Sequence, residues 1–234
     1  MLNEYCLFCH GEIARKISWS SFFTKEEVKY LCSACEDRLV EIKRETCELC
    51  DRPLAQLEPQ YIRNNRCYDC VRWEEDPDWA GYLNKNTSIY VYNDFLKELI
   101  GKFKFRGDYE LVKAFSKPLR ERVSSYDYLV PIPLSSERQF ERGFNQSEAL
   151  IREAGFEPTH LLKRKHSEKQ SKKSRSERIH IEQVFDLIEK ANYNEKTILL
   201  IDDIYTTGST LRHAAKILIK AGANSVSSLT LARG

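Results

Sequence analysis

Two adjacent carboxylates followed by small hydroxyl residues stand near the carboxyl end of this chain. The apolar run 198–201 leads into Asp202 and Asp203, and after two spacers the chain continues as Thr206-Thr207-Gly208-Ser209-Thr210. A buried strand would bring both acids to its carboxyl end, and the turn would place free N–H groups at a helix N-terminus. Such N–H groups and the helix dipole suit a phosphate, while carboxylates suit ribose hydroxyls. The segment therefore predicts a site for a sugar phosphate.

The spacing of this segment decides between that prediction and a simpler interpretation. A strand-end Asp or a Thr-Gly turn, taken singly, is more often a capping feature without a ligand. Joined without a gap, and followed by an amphipathic helix, the segment resembles the phosphoribosyl pyrophosphate (PRPP) loop of type I phosphoribosyltransferases. The resemblance implies PRPP binding by Asp202, Asp203, Thr206, Thr207, Gly208, Ser209 and Thr210.

All eight cysteines lie in the first 70 residues, as four Cys-x2-Cys pairs. Two such pairs supply the four thiolates of a tetrahedral Zn²⁺ site, so eight ligands predict two zinc ions. A redox role would not explain four copies of the pair. The predicted metal ligands are Cys6, Cys9, Cys32, Cys35, Cys47, Cys50, Cys67 and Cys70.

The four cysteine pairs can be combined into two sites in more than one way. Sequential grouping gives gaps of 22 and 16 residues within the two sites, close to ribbon spacing, and is favoured. An interleaved arrangement, first pair with third and second with fourth, stays open. Metal ligation would stabilise a segment with few apolar runs, and this structural role is the first expectation for it.

Length and charge restrict the classes of function. The 234 residues allow one ordinary domain and a small module, and the formal charge of +2 gives no global basic field. No stretch approaches the roughly 20 apolar residues of a membrane span. We therefore expect a soluble, cytoplasmic protein with no membrane insertion.

The order of predicted elements indicates an α/β fold. After an acidic, Pro-containing stretch, strand patterns near 89–92, 129–133, 197–202 and 226–231 alternate with helical patterns, including one helix over 137–154. This alternation predicts a parallel α/β sheet flanked by helices. The resemblance of the PRPP loop implies that the sheet is of the type I phosphoribosyltransferase-like kind, and the cysteine pairs predict a small double zinc-ribbon-like module before it. The predicted divisions are a zinc module at 1–72, a linker at 73–88 and the sheet domain at 89–234.

Further polar and basic residues are candidates for pyrophosphate or DNA contacts. One group follows the Val130-Pro-Ile-Pro-Leu segment, and another lies in 163–178, which carries eight Lys/Arg and two Glu. Such a run is most often a solvated loop, yet beside a phosphate pocket it could hold pyrophosphate or follow a nucleic-acid backbone. The candidates are Lys104, Arg106, Ser135, Arg142, Asn145, Gln146, Lys163, Arg164, Lys165, Lys172, Lys173, Arg175 and Arg178.

Taken together, these motifs resemble the ComF family (ComFC-type) of competence proteins. The resemblance rests on the Cys pairs, the Pro-x-Pro strand end, Arg142-Gly-Phe-Asn-Gln146, the PRPP-type loop and Leu231-Ala-Arg233. One departure is the stretch Arg178-Ile-His180, where the family commonly has Arg-x-Asn. The resemblance implies handling of single-stranded DNA in natural transformation, with a ComFA-type helicase/ATPase as partner.

Three functions stay open at this point. The first is a competence factor that binds a PRPP-like ligand and single-stranded DNA. The second is an active phosphoribosyltransferase, although no acceptor site is recognisable. The third is a zinc-dependent adaptor with a vestigial enzyme fold. In the first two, Mg²⁺ would accompany PRPP, bound through the ligand's oxygens and water.

Overall fold

The centre of the protein is a parallel sheet, seen in a computed structural model. The structure describes residues 4–14, 28–43, 45–105, 107–123, 125–165, 184–188 and 192–234. Four strands form the sheet in the order β3-β8-β7-β4, with every neighbouring pair parallel. They are β3 (Asn86–Val91), β4 (Tyr128–Pro131), β7 (Thr197–Tyr205) and β8 (Ser225–Arg233).

Helices cover both faces of this sheet, and short elements complete the fold. The helices are α1 (Ser33–Glu36), α2 (Tyr68–Glu75), α3 (Asp94–Phe105), α4 (Lys113–Arg122), α5 (Ser136–Arg142), α6 (Gln146–Glu153) and α7 (Ser209–Lys220). Two small hairpins pair β1 (Ile62–Arg63) with β2 (Arg66–Cys67), and β5 (Leu162–Arg164) with β6 (Phe185–Leu187). Single 3-10 turns occupy Leu54–Gln56, Pro59–Tyr61 and Tyr109–Val112.

Alternation along β7 divides the core into two halves. Leu199 and Ile201 pack with α3, α4 and α6 on one face, whereas Ile198 and Leu200 pack with α7 and β6 on the other. Neighbouring side chains of a strand point to opposite faces, and a strand buried on both faces is apolar throughout. The predicted parallel α/β sheet is confirmed.

The cysteine-containing segment packs on both sides of the β3 edge of the sheet. Cys6 and Cys35 belong to the half of the core that contains α3, while Cys47, Cys50, Cys67 and Cys70 belong to the half that contains α7. Between them, residues 40–42 cover the outer edge of β3, because Val91 donates to the Val40 carbonyl and Ile42 donates to that of Ile89. The edge strand is thus paired on both sides.

The single helix predicted for 137–154 is wrong, because two helices occupy this range. Gly143 ends α5 in the left-handed region with φ of 76°, a conformation that is least costly for glycine. Asn145 then begins α6 by accepting hydrogen bonds from the N–H groups of Ser147 and Glu148. A C-terminal glycine and an N-cap two residues later therefore separate the helices.

Candidate functional site

The eight cysteines form two clusters that suit metal ions. In each cluster the four sulfur atoms lie within 4.8 Å of one another, a spacing compatible with tetrahedral Zn²⁺, whose Zn–S bonds are about 2.3 Å. The first cluster (Cys6, Cys9, Cys32, Cys35) is partly exposed, and the second (Cys47, Cys50, Cys67, Cys70) is fully buried. The fold therefore groups the cysteines in sequence order, which is the pairing that the spacing favoured.

The two clusters have the same local backbone structure. In each, the N–H of the first cysteine donates to the carbonyl of the residue five positions later at 2.8 Å, Cys6 to Gly11 and Cys47 to Arg52. The other pair of each cluster begins a helix, α1 or α2, where the N–H groups favour thiolate charge. The donor set and its surroundings fit zinc at both places.

A polar cavity of about 130 Å³ opens at the carboxyl ends of β4 and β7. Parallel strands bring their carboxyl ends to one edge, which is the usual ligand position in such sheets. Acids, cations and the loop after β4 meet there. The cavity is lined by Lys104, Ile132, Pro133, Leu134, Arg138, Arg142, Gln146, Ser147, Arg164, Asp202, Asp203 and Thr210.

The two adjacent acids have different partners. Asp202 Oδ1 accepts hydrogen bonds from the Asp203 N–H at 2.9 Å and from Ser147 Oγ at 3.3 Å. Asp203 instead forms an ion pair with Lys104 at 2.5 Å. Desolvation raises the pKa of Asp202 to about 7, and the neighbouring Asp203 carboxylate adds to this rise. One acid is thus neutralised by a lysine, while the other titrates near neutral pH.

The segment 206–210, called the loop here, contains the turn between β7 and α7 and the first two residues of α7. The turn passes through a glycine in the left-handed region. Gly208 has φ of 79°, and a Cβ built there would lie 2.1 Å from the Tyr205 hydroxyl oxygen. As at any helix start, the N–H groups of the first turn of α7 have no intrahelical acceptor, and the Ser209 N–H donates to Thr207 Oγ1 at 3.5 Å. Thr210 lines the cavity. The loop thus brings the N-terminus of a helix to the same edge of the sheet as the two acids.

Four cations converge on the cavity: Lys104, Arg138, Arg142 and Arg164. Arg142 donates to Gln146 Oε1 at 2.8 Å, while its buried Nε has no hydrogen-bond partner among the described residues. Burial lowers the pKa of Arg142 and of Arg164. Positive charge of this density, partly removed from water, favours an anionic ligand with several phosphate oxygens.

The hairpin β5–β6 forms a second, wider groove beside this cavity. Its volume is about 640 Å³, and it shares Pro133, Leu134 and Arg164 with the first cavity. Lys163 and Lys165 lie along it, and Lys165 forms an ion pair with Asp186 at 3.2 Å. The basic surface is therefore continuous from the cavity to the hairpin.

Some candidate residues have local structural partners. Asn145 caps α6 and also donates to the Ile132 carbonyl at 3.0 Å, which ties the start of α6 to the end of β4. Ser135 caps α5 by accepting from the Arg138 N–H. The candidates Arg106, Lys172, Lys173, Arg175 and Arg178 lie outside the described residues.

Two polar lining residues, Arg138 and Ser147, were absent from the list of candidates. Arg138 stands four positions before Arg142, so that both face the cavity from α5, and this i,i+4 spacing was a usable signal. Ser147 reaches Asp202 only because α6 packs beside β7, and no sequence pattern indicates that contact.

Comparison with known proteins gives a consistent assignment. A family model described as "Phosphoribosyl transferase domain" matches residues 141–234. The chain is 40% identical over 235 residues to competence protein ComFC of Bacillus subtilis, covering 97% of this chain and 94% of that protein. It is 36% identical to competence protein ComFC of Streptococcus pneumoniae, over 97% and 99% of the two chains. A 26% identity to competence protein F of Haemophilus influenzae covers 87% and 97%.

This chain belongs to the ComFC family of competence proteins and carries a phosphoribosyltransferase-like domain. Within the described ranges, no helix is long and apolar enough to cross a membrane.

Proposed function

We propose that this ComFC-family protein acts in natural transformation by binding a PRPP-like ribose phosphate and single-stranded DNA, together with a helicase-like partner. The observation that supports a ribose phosphate is that Asp202, Asp203 and Thr210, in the first turn of α7, line one cavity. Carboxylates there would accept hydrogen bonds from ribose hydroxyls, and the N–H groups of 207–210 would bind the 5′-phosphate. The proposal includes the division of the chain into a zinc module (1–72), a linker (73–88) and the sheet domain (89–234).

The four cations around the cavity support a diphosphate rather than a single phosphate. Lys104, Arg138, Arg142 and Arg164 carry more positive charge than the two acids neutralise. Mg²⁺ would enter with PRPP, held through the ligand's oxygens and water. Because Lys104 already pairs with Asp203, ribose binding would redistribute this ion pair.

The basic groove of the β5–β6 hairpin supports the DNA part of the proposal. Lys163, Arg164 and Lys165 lie along an open groove continuous with the cavity. A phosphate backbone in this groove would displace counterions, so affinity should fall steeply with salt. The preference for single strands over a duplex comes from the family's connection with DNA uptake.

Fluorescence anisotropy with a labelled single-stranded oligonucleotide tests this part. We expect salt-dependent binding by the wild type and weaker binding by a Lys163→Glu, Lys165→Glu variant. A matched control is Lys117→Glu, Lys220→Glu, which makes the same change of charge at two exposed lysines outside the groove. Equal affinity of the groove variant and the wild type would refute the assignment of DNA to this groove.

A second candidate function is phosphoribosyl transfer. It is favoured by the cations, which would stabilise the departing pyrophosphate. The protein would be incubated with labelled PRPP, Mg²⁺ and candidate bases, and pyrophosphate would be measured. Release no faster than that of an Asp202→Asn, Asp203→Asn variant would eliminate this candidate.

A further inference from the structure

We propose that Arg233 is a positioning residue that couples the second cysteine cluster to the phosphate loop 206–210. In this arrangement, metal bound by Cys47, Cys50, Cys67 and Cys70 fixes the orientation of the loop's N–H groups. The inference rests on the proposed function for its ligand, while its central test measures the loop itself.

The Arg233 guanidinium lies between a cysteine sulfur and the loop. Its Nε and Nη2 both donate to Cys50 Sγ at 3.3 Å. Nη1 donates to the carbonyls of Tyr205 at 3.1 Å and Thr206 at 2.9 Å, and also to that of Gly234. The side chain is 2% exposed and lies over the Tyr205 ring. A planar fork with donors on both sides can hold two groups in a fixed relation.

A tryptophan after the second cluster adds a contact to the same loop. Trp73 on α2 donates its indole N–H to the Thr207 carbonyl at 2.9 Å. Three successive carbonyls, those of 205, 206 and 207, are therefore held from the side of the second cluster.

This anchoring sets where the loop's N–H groups point. In a planar trans peptide the carbonyl and the following N–H point in opposite directions. Carbonyls of 205–207 held toward Arg233 and Trp73 therefore direct the N–H groups of Thr206, Thr207 and Gly208 away from the cluster. Because these N–H groups are oriented before a phosphate binds, binding would cost less conformational entropy of the loop.

The bond between Arg233 and Cys50 ties the guanidinium to the geometry of the second cluster. Metal ligation would hold Cys50 Sγ in a fixed tetrahedral set with Cys47, Cys67 and Cys70. The sulfur would then be a fixed acceptor on one side of a guanidinium whose other side bonds the loop carbonyls, and loss of the metal would remove that constraint. The first cluster differs, because Lys102 of α3 bonds the Phe8 carbonyl beside it, on the other half of the core.

Hydrogen exchange across 205–212, measured on Arg233→Lys, tests the coupling. The Arg212 N–H, which is bonded to the Gly208 carbonyl at 2.9 Å, is its protected reporter. Lysine keeps the charge but cannot hold a sulfur and two carbonyls together. We expect faster exchange in the loop, unchanged exchange in β4 and two zinc ions retained per chain. PRPP affinity should fall roughly ten- to hundredfold, as for loss of a bond to a charged group. Arg120→Lys is the matched control, because Arg120 donates to the Ala154 carbonyl far from the loop.

The role of the metal is tested with two further variants. Cys67→Ser removes one ligand of the second cluster, and Cys32→Ser removes one ligand of the first. We expect Cys67→Ser, but not Cys32→Ser, to accelerate exchange in the loop. Should Arg233→Lys or Cys67→Ser not fold, exchange by the wild type before and after removal of its second zinc gives the same comparison.

Loop exchange that is unchanged by Arg233→Lys and by loss of the second metal would overturn the coupling. If the wild type shows no PRPP binding, the proposed ligand fails. The exchange results still decide whether Arg233 couples cluster and loop.

Discussion

At the scale of residues, Asp202 and Asp203 are chemically different although they are neighbours. Lys104 pairs with Asp203, whereas Asp202 receives hydrogen bonds from Ser147 and from a backbone N–H. This difference follows from packing of α3 and α6, so the sequence could predict two acids at a strand end but not their separate roles. It also makes the stability of the protein depend on pH through Asp202.

Asp202→Asn should stabilise the protein, and more at pH 8 than at pH 5. The pKa of Asp202 is about 7 in the folded protein, against an ordinary 3.8. Between these values the folded state keeps a proton that the unfolded chain releases, so this group lowers stability as pH rises. We expect a gain on the order of 2 kcal/mol at pH 8. Urea unfolding across this pH range measures it.

Asp127 is the control for this prediction, because its carboxylate should change the stability with pH in the opposite direction. Hydrogen bonds from Thr197 lower the pKa of Asp127, so its contribution is present above pH 4 and is lost on acidification. Asp127→Asn should therefore destabilise the protein at neutral pH. Equal effects of Asp202→Asn at pH 5 and pH 8 would contradict the raised pKa.

Gly208→Ala should destabilise the protein and weaken ribose phosphate binding. The left-handed backbone and the close Tyr205 ring leave no room for a methyl group, which predicts a loss of about 2–4 kcal/mol. Gly101→Ala is the control, because Gly101 lies within α3 with open space around it and should gain about 0.5–1 kcal/mol. Thermal unfolding compares the two, and a stable Gly208→Ala variant would show that the loop can relax.

At the scale of elements, the sequence predicted the strands and helices well where periodicity was long. The strand at 197–202, its helix and the strand at 226–231 correspond to β7, α7 and β8. The break at Gly143 was missed because the apolar pattern continues through it, and β5–β6 was missed because each strand has three residues. Pro118 lies inside α4, so this proline does not mark the end of a helix.

The two cysteine clusters should release their metal in separate steps. Cys9 is exposed, whereas the four cysteines of the second cluster are each at most 1% exposed. A chelator can therefore reach the first cluster by local opening, but the second only after larger unfolding. A colorimetric chelator should record one fast and one slow equivalent of zinc per chain.

Two variants assign these steps. Cys32→Ser should abolish the fast step and keep the slow one, while Cys67→Ser should do the reverse. A single step that releases both metals, or one equivalent in total, would contradict two independent sites.

At the scale of the whole molecule, the cysteine module packs against the helix and the loop that border the pocket. Its second cluster shares a core with α7, and Arg212 of α7 pairs with Glu74 of α2 at 2.7 Å while 1% exposed. The sequence indicated a module and a sheet as successive segments. It could not indicate that the module contacts the loop and the residue that anchors it, since those contacts join residues more than 100 positions apart, Trp73 with Thr207 and Cys50 with Arg233.

The claim on which the account depends is that the cavity binds a ribose phosphate. Calorimetric titration of the full chain with PRPP and Mg²⁺ tests it most directly, beside an Asp202→Asn, Asp203→Asn variant. We predict saturable binding at one site per chain, weakened at least about tenfold in the variant, as for loss of charge-assisted hydrogen bonds. An absence of binding by the folded, zinc-loaded wild type would contradict this claim and favour a vestigial pocket, whereas equal binding by both proteins would contradict the role of Asp202 and Asp203.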